Sequence, residues 1–248
     1  MRRVAVTVAA EWAEEARGAM LELFPEGFEE AEVGDRLELA AYTDEAGEER
    51  LRRAFPQVEA VEVPDDWRDR WRTFHRGIEV GALWVGPPWE EPPGAAVAVV
   101  VDPGRAFGTG RHPTTRLCLE LLQLVPRGSL VDVGCGSGVL AIAAAKLGFG
   151  PVVALDNDPA AVEATEENAG RNGVRLETRL ADALAGPLPE TDVAVANVTG
   201  EALPWLPFRS TLVVASGYLA GEEIGLPAYA HAERRTLDGW AADLFRRH

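Results

Sequence analysis

The sequence predicts an α/β fold, an open and largely parallel Rossmann-like sheet, preceded by a small α+β unit. Three observations carry this. Residues 130–158, LVDVGCGSGVLAIAAAKLGFGPVVALDND, run strand, glycine loop, helix, strand, acid, the plan of a nucleotide-binding βαβ unit. Apolar runs then alternate with helical segments, as a parallel sheet requires. The first 63 residues instead read βαββαβ, the split-βαβ or ferredoxin-like order.

Val4, Val6 and Val8 alternate as in a half-buried strand, and Trp12, Ala16, Met20 and Leu23 recur at helical spacing. Phe28 to Val33 and Arg36 to Tyr42 form two strands joined across Gly34-Asp35, a hairpin-type turn. A helix carrying Leu51 and Phe55 follows, and Val58 to Val63 closes the unit. Residues 1–63 hold 7 Arg against 16 Asp plus Glu and lack the aromatic-basic strand pair that stacks bases. A protein-recognition module is expected there rather than an RNA-binding one. Residues 64–76 form the connector: Pro64 opens it, Asp65 caps it, and Trp67 and Trp71 share one face of a short helix. Their expected role is packing.

Residues 77–248 form the second domain. Ile78 to Val80 and Leu83 to Val85 are short strands, followed by an irregular proline segment around Trp89. Ala95 to Val101 is a strand leading to FGTGRHPTT, residues 107–115, and a helix over Arg116 to Val125. The two glycines, Phe107 and the threonine hydroxyls suit that loop to closing over a ligand. After Asp156, a helix starts at Asp158-Pro159 and stops near Asn172-Gly173. Strands follow at Arg175 to Leu180, Asp192 to Ala196 and Thr211 to Ala215, and a closing hairpin lies around His231 to Leu237 and Trp240 to Phe245.

The glycine loop decides the ligand class. A dinucleotide fingerprint, G-x-G-x-x-G, needs glycine at Val139, where helix amides would hold a pyrophosphate. Here Gly134, Gly136 and Gly138 are spaced more tightly and follow an acid, Asp132. That suits a phosphate-free ligand such as the zwitterionic methionine tail of S-adenosylmethionine. Asp156, 22 positions after Gly134, stands where a ribose presents its hydroxyls. Asp182, ending the third strand, either accepts from the adenine amine or caps a following helix. Asn197 lies at the carboxyl end of the fourth strand, where open α/β sheets collect active residues.

Composition bounds the rest. With 248 residues and 47% apolar content the chain can bury real cores. The net charge of −16 argues against direct nucleic-acid contact and fits either a basic partner or a solvated acidic surface. Cys118 and Cys135 lack metal-ligand spacing. Neither a signal peptide nor a membrane span is evident, so a cytoplasmic location is expected.

The stretches DPGRAFGTGRHPTTRLCLELL, DVGCGSGVLAIAAAKLG, ALDNDPAAVEATEENAGRNGV and VANV resemble the ribosomal protein L-eleven methyltransferase (PrmA) family from about Asp65 to Asn197. The resemblance implies a class I S-adenosylmethionine-dependent methyltransferase domain with a seven-stranded sheet and a mobile N-terminal recognition domain. It implies methylation of lysine and N-terminal amines on one basic large-subunit ribosomal protein, by a protein expected to be monomeric. By motif, the cofactor positions fall on Thr115, Gly134, Asp156 and Asn197, with Gly136 in the same loop and Asp182 near the adenine. Phe107 and Thr109, with Asn197, are expected to place the amine, and His112 to structure its loop. The chain departs from the family after Asn197, where VTGEALPWLPFRS is short and proline-broken. Methylation of another protein or a small amine, or cofactor binding without catalysis, therefore stays open.

Overall fold

The computed structural model describes residues 2–9, 12–24, 28–34, 36–62, 76–94, 97–102 and 110–248. The chain divides into two compact units, residues 1–74 and 75–248, each with its own core. The connector helix expected around Trp67 and Trp71 and the loop residues Phe107 and Thr109 lie outside the described residues.

The first unit runs β1 (Arg2–Ala9), α1 (Ala13–Leu23), β2 (Glu29–Val33), β3 (Arg36–Thr43), α2 (Glu45–Ala54) and β4 (Glu59–Glu62). Its antiparallel sheet has the order β2-β3-β1-β4. Val4 and Val6 meet Leu39, Met20 and Leu51 in the core. Helix α2 starts where the Asp44 side chain accepts from the Gly47 amide at 2.9 Å, and acids at its start and Arg52 and Arg53 at its end match the helix dipole. Trp12 departs from the expected stripe. It precedes α1 at the N-cap and is 57% exposed, while Ala16 and Met20 are buried.

The second unit opens with a separate three-stranded sheet, β5 (Ile78–Val80), β6 (Leu83–Gly86) and β7 (Val97–Val100). Helix α3 (Pro113–Leu124) follows, then β8 (Leu130–Val133), α4 (Val139–Lys146), β9 (Val152–Asp156), α5 (Pro159–Asn172), β10 (Glu177–Leu180) and β11 (Val193–Asn197). A 3-10 turn (Leu203–Trp205) leads to β12 (Leu212–Leu219), β13 (Tyr229–Leu237) and β14 (Trp240–Arg247). The seven-stranded sheet has the order β10-β9-β8-β11-β12-β14-β13. Its first five strands are parallel, and β14 runs antiparallel between β12 and β13. Apolar layers cover both faces, which is why β8 is buried throughout. Strand order reverses between β8 and β11, so a crevice for a ligand is expected at the carboxyl ends of these strands.

Two boundaries differ from the sequence reading in ways that matter. Helix α3 begins three residues earlier than expected, because His112 caps it and Pro113 occupies its first turn; this moves Thr114 and Thr115 from the loop into a buried helical turn. Strand β12 extends four residues beyond Ala215, because it continues through a bulge at Gly217. Among the described residues no helix is long and apolar enough to cross a membrane.

Candidate active site

The loop between β8 and α4 is built on left-handed glycines, with φ of +73° at Gly134 and +81° at Gly138. A Cβ at Gly134 would lie 2.8 Å from a Val198 methyl, and one at Gly138 would lie 2.9 Å from the Thr165 side chain. Both the backbone angle and the close approach therefore demand glycine.

The loop turns its amides inward. Gly134 and Cys135 donate to the Leu155 carbonyl at 2.9 and 3.1 Å, and Gly138 donates to Cys135 at 2.8 Å. Gly136 donates to Asp156 Oδ2 at 3.0 Å. The other oxygen of Asp156 accepts from the Asp158 amide at 3.0 Å. With these amides engaged, the loop has little to offer a pyrophosphate. The Asp156 carboxylate keeps further lone pairs for hydroxyl donors, since two oxygens offer about four acceptor sites.

Asp132 sharpens the point. Its side chain is 1% exposed; Oδ2 accepts from Ala141 at 3.0 Å, and Oδ1 has no hydrogen-bond partner among the described residues. Burial pushes its carboxyl up to about 7; the Ala141 hydrogen bond opposes this and the nearby Asp156 charge adds to it. A buried acceptor without a donor, beside a second carboxylate, repels an anionic ligand and suits a cationic one. The residues present thus fit a nucleoside with a positively charged tail. Cys135 is inert by comparison: burial pushes its thiol up to about 12.

The second cluster joins α3 to β11. The side-chain amide of Asn197 donates to Thr115 Oγ1 at 3.2 Å, with Thr115 buried and Asn197 partly exposed. The contact between Gly134 and Val198 sets this pair beside the glycine loop. His112 caps α3: its Nδ1 accepts weakly from the Thr114 amide at 3.4 Å and meets Thr114 Oγ1 at 2.7 Å, and its ring stands edge-on to Trp240. Asp182 follows Ala181, whose amide donates to the Asp156 carbonyl at 2.8 Å. Its Oδ1 accepts from Leu184 at 2.9 Å, a local turn that caps no helix. The fold thus brings Gly134, Gly136 and Asp156 together and, adjacent to them, Thr115 and Asn197. No hydrogen bond is described from Asp182 to that group.

One set of supporting residues escaped the sequence reading. On α5, Thr165 donates to the Gly136 carbonyl at 3.0 Å and Asn168 to that of Ser137 at 2.9 Å. Asn168 also accepts from Asp102 at 3.1 Å, while Asn172 accepts from and donates to Val100 at 2.9 and 2.6 Å. Arg171 pairs with Asp102 at 3.2 Å. One helix thereby ties the glycine loop to the end of β7. The available signal was Thr165, Asn168 and Asn172 at i, i+3 and i+7, a polar stripe where a packing helix ordinarily carries an apolar one.

The family model described as "Ribosomal protein L11 methyltransferase (PrmA)" matches residues 10–220, a span that contains every site residue above. The chain belongs to the ribosomal protein L11 methyltransferase family. It is 41% identical over 198 residues to a ribosomal protein L11 methyltransferase of Symbiobacterium thermophilum, covering 73% of this chain and 65% of that protein. It is 36% identical over 248 residues to one of Pelobacter propionicus, covering 88% and 79%. The crystal structure of a ribosomal protein L11 methylase from Lactobacillus delbrueckii subsp. bulgaricus superposes with a TM-score of 0.61 at 29% identity, covering 70% of this chain and all of that one. The chain spans about half to two thirds of the length of several curated members it matches, the Symbiobacterium thermophilum protein among them. The parallel strands around the site accord with a class I methyltransferase fold.

Proposed function

We propose that the chain is an S-adenosylmethionine-dependent protein N-methyltransferase that acts on lysine and N-terminal amines of ribosomal protein L11. The observation that carries this reading is the inward-turned glycine loop, in which the amides of Gly134, Cys135, Gly136 and Gly138 are taken by Leu155, Cys135 and Asp156, beside the buried, unpartnered oxygen of Asp132. Such a pocket disfavours phosphate and favours a cation-bearing nucleoside. Gly134, Gly136, Asp156 and Thr115 hold the cofactor in this reading, Asp156 through the ribose, with Asp182 at the adenine edge. Bound there, S-adenosylmethionine supplies a methyl group on a sulfonium whose departure leaves a neutral thioether.

The protein's part is placement. With its Nδ2 bonded to Thr115, Asn197 has Oδ1 left to accept from the incoming amine and aim its lone pair. Phe107 and Thr109 complete the amine's surroundings. A lysine must first lose its proton, a cost of about 4 kcal/mol at neutral pH given an ordinary pKa near 10.4. Burial favours the neutral amine and lowers that cost. His112 is committed to capping α3, so its role is structural and the proton passes to water.

The first unit, ferredoxin-like by its strand order, recognises the protein target in this reading. Residues 1–63 form that domain, residues 64–76 the connector, and residues 77–248 the catalytic domain of a cytoplasmic monomer. The net charge of −16 suits a basic partner and not nucleic acid. A second reading, transfer to another protein or a small amine, draws on the proline-broken stretch after Asn197, which forms a short 3-10 turn at Leu203–Trp205. Incubation with tritiated S-adenosylmethionine and total ribosomal protein separates the two. Label concentrated in L11 supports the proposal. Label in another protein or only in small amines overturns the target, and cofactor binding without any transfer overturns the catalysis.

A further inference from the structure

The carboxyl end of β11 rests against an irregular stretch of its neighbour β12. Strand β12 carries one extra residue against β14: Ser216 faces Ala242 and Tyr218 faces Ala241, so Gly217 is bulged out. Gly217 has φ +111°, and a Cβ there would fall 1.8 Å from the Val198 carbonyl oxygen. The Val198 amide donates to the Ser216 carbonyl at 3.1 Å. The bulge also re-aims Tyr218, whose Cβ would be 3.0 Å from a Cβ built on Gly200, with Ile224 at 3.3 Å. The segment Asn197–Gly200 thus lies directly on Gly217 and the Tyr218 ring. Bulges beside active sites commonly serve to redirect a side chain in this way.

Behind the ring, the Tyr218 hydroxyl is 2.8 Å from Asp243 Oδ2 and 3.0 Å from the Ala215 carbonyl. Asp243 is fully buried and would be costly there if unpaired. It is paired several times over. Arg234 donates to both of its oxygens, at 2.9 and 2.7 Å, and His231 Nε2 lies 2.9 Å from Oδ1. Burial works against the charge of Asp243, but the hydrogen bonds from Arg234, His231 and Tyr218 outweigh it and hold the carboxyl below the usual range. The same Arg234 donates to the Ala220 and Glu222 carbonyls at 3.2 and 3.0 Å, fixing the turn that leads to Ile224.

We infer that Tyr218, clamped by Asp243 and Arg234 behind the Gly217 bulge, is a positioning residue that fixes the segment Asn197–Gly200 against which the target amine is aligned. A tyrosine buried only for packing needs no bidentate ion pair behind its hydroxyl. Nor does a strand end need a glycine bulge unless another backbone must sit on it. The inference rests on the methyl-transfer reading for what is aligned, but the clamp itself is testable without it.

The experiment is residue-resolved hydrogen exchange on the full chain, wild type against Tyr218→Phe, which keeps the ring and removes the hydroxyl. Exchange of the Val198 and Ala202 amides should accelerate at least about tenfold, a local opening of the kind exchange resolves, while Val193–Ala196 exchange is unchanged. Turnover of methyl transfer should fall by about tenfold or more, with adenosylhomocysteine affinity held within about threefold. Asp243→Asn should do the same; if it does not fold, Tyr218→Phe decides alone. Unchanged exchange at Val198 and Ala202, or acceleration spread evenly over the sheet, overturns the inference. A wild-type protein that transfers no methyl group overturns the functional reading instead, and leaves the exchange result to judge the clamp.

Discussion

At the residue scale, Asp132 makes the most exacting claim. Its buried carboxyl is pushed up to about 7, so the group stabilises the unliganded fold fully below the ordinary carboxylate range and loses that contribution as pH rises through about 7. The shift corresponds to about 4 kcal/mol, or on the order of 10 °C in Tm for a chain of this size. We expect the Tm of the free protein to fall between about pH 4 and 7, by scanning calorimetry, and Asp132→Asn to flatten that fall. A cationic ligand tail reverses the sign for binding, so cofactor affinity should rise over the same interval in the wild type only. A wild-type Tm that holds steady across this interval would remove Asp132 from the account. The importance of an acid before the glycines was legible in the sequence, but its missing partner was not, because that depends on what the helix and sheet faces bury around it.

At the scale of elements, α5 is the link between site and scaffold. Asn168, 2% exposed, bonds both the Ser137 carbonyl and the Asp102 amide. Asn168→Ala leaves the buried Ser137 carbonyl and the partly buried Asp102 amide without this partner, at up to about 1–3 kcal/mol each. Urea unfolding should therefore register a loss of about 2–4 kcal/mol, with cofactor binding weakened as the loop relaxes. A loss under about 0.5 kcal/mol would show that the loop does not depend on α5. The order of elements was legible from period and punctuation: strand β8, its glycine loop and α4 emerge where apolar runs and glycines place them. Long-range pairing was not. That Asn168 spans 66 residues to reach Asp102, that β14 inserts between β12 and β13, and that Gly217 bulges are set by tertiary contacts. Thr115 was legible only through the family motif, since its burial depends on His112 capping the helix one turn early.

At the scale of the whole molecule, two units with separate cores imply separable tasks. Removing residues 1–63 should leave adenosylhomocysteine affinity within about threefold while abolishing label transfer to L11. Normal transfer by the truncated chain would contradict a recognition role for the first unit. The central claim, that the crevice at the ends of β8, β9 and β11 holds a phosphate-free nucleoside through Asp156, is tested most directly by calorimetric titration of the wild type and Asp156→Ala with adenosylhomocysteine. We expect saturable one-to-one binding to the wild type, undisturbed by NAD or ATP, and a loss of about 1.5–3 kcal/mol in the variant for its charge-assisted ribose bonds. Equal affinity in the two proteins, or displacement of the ligand by NAD or ATP, would contradict it.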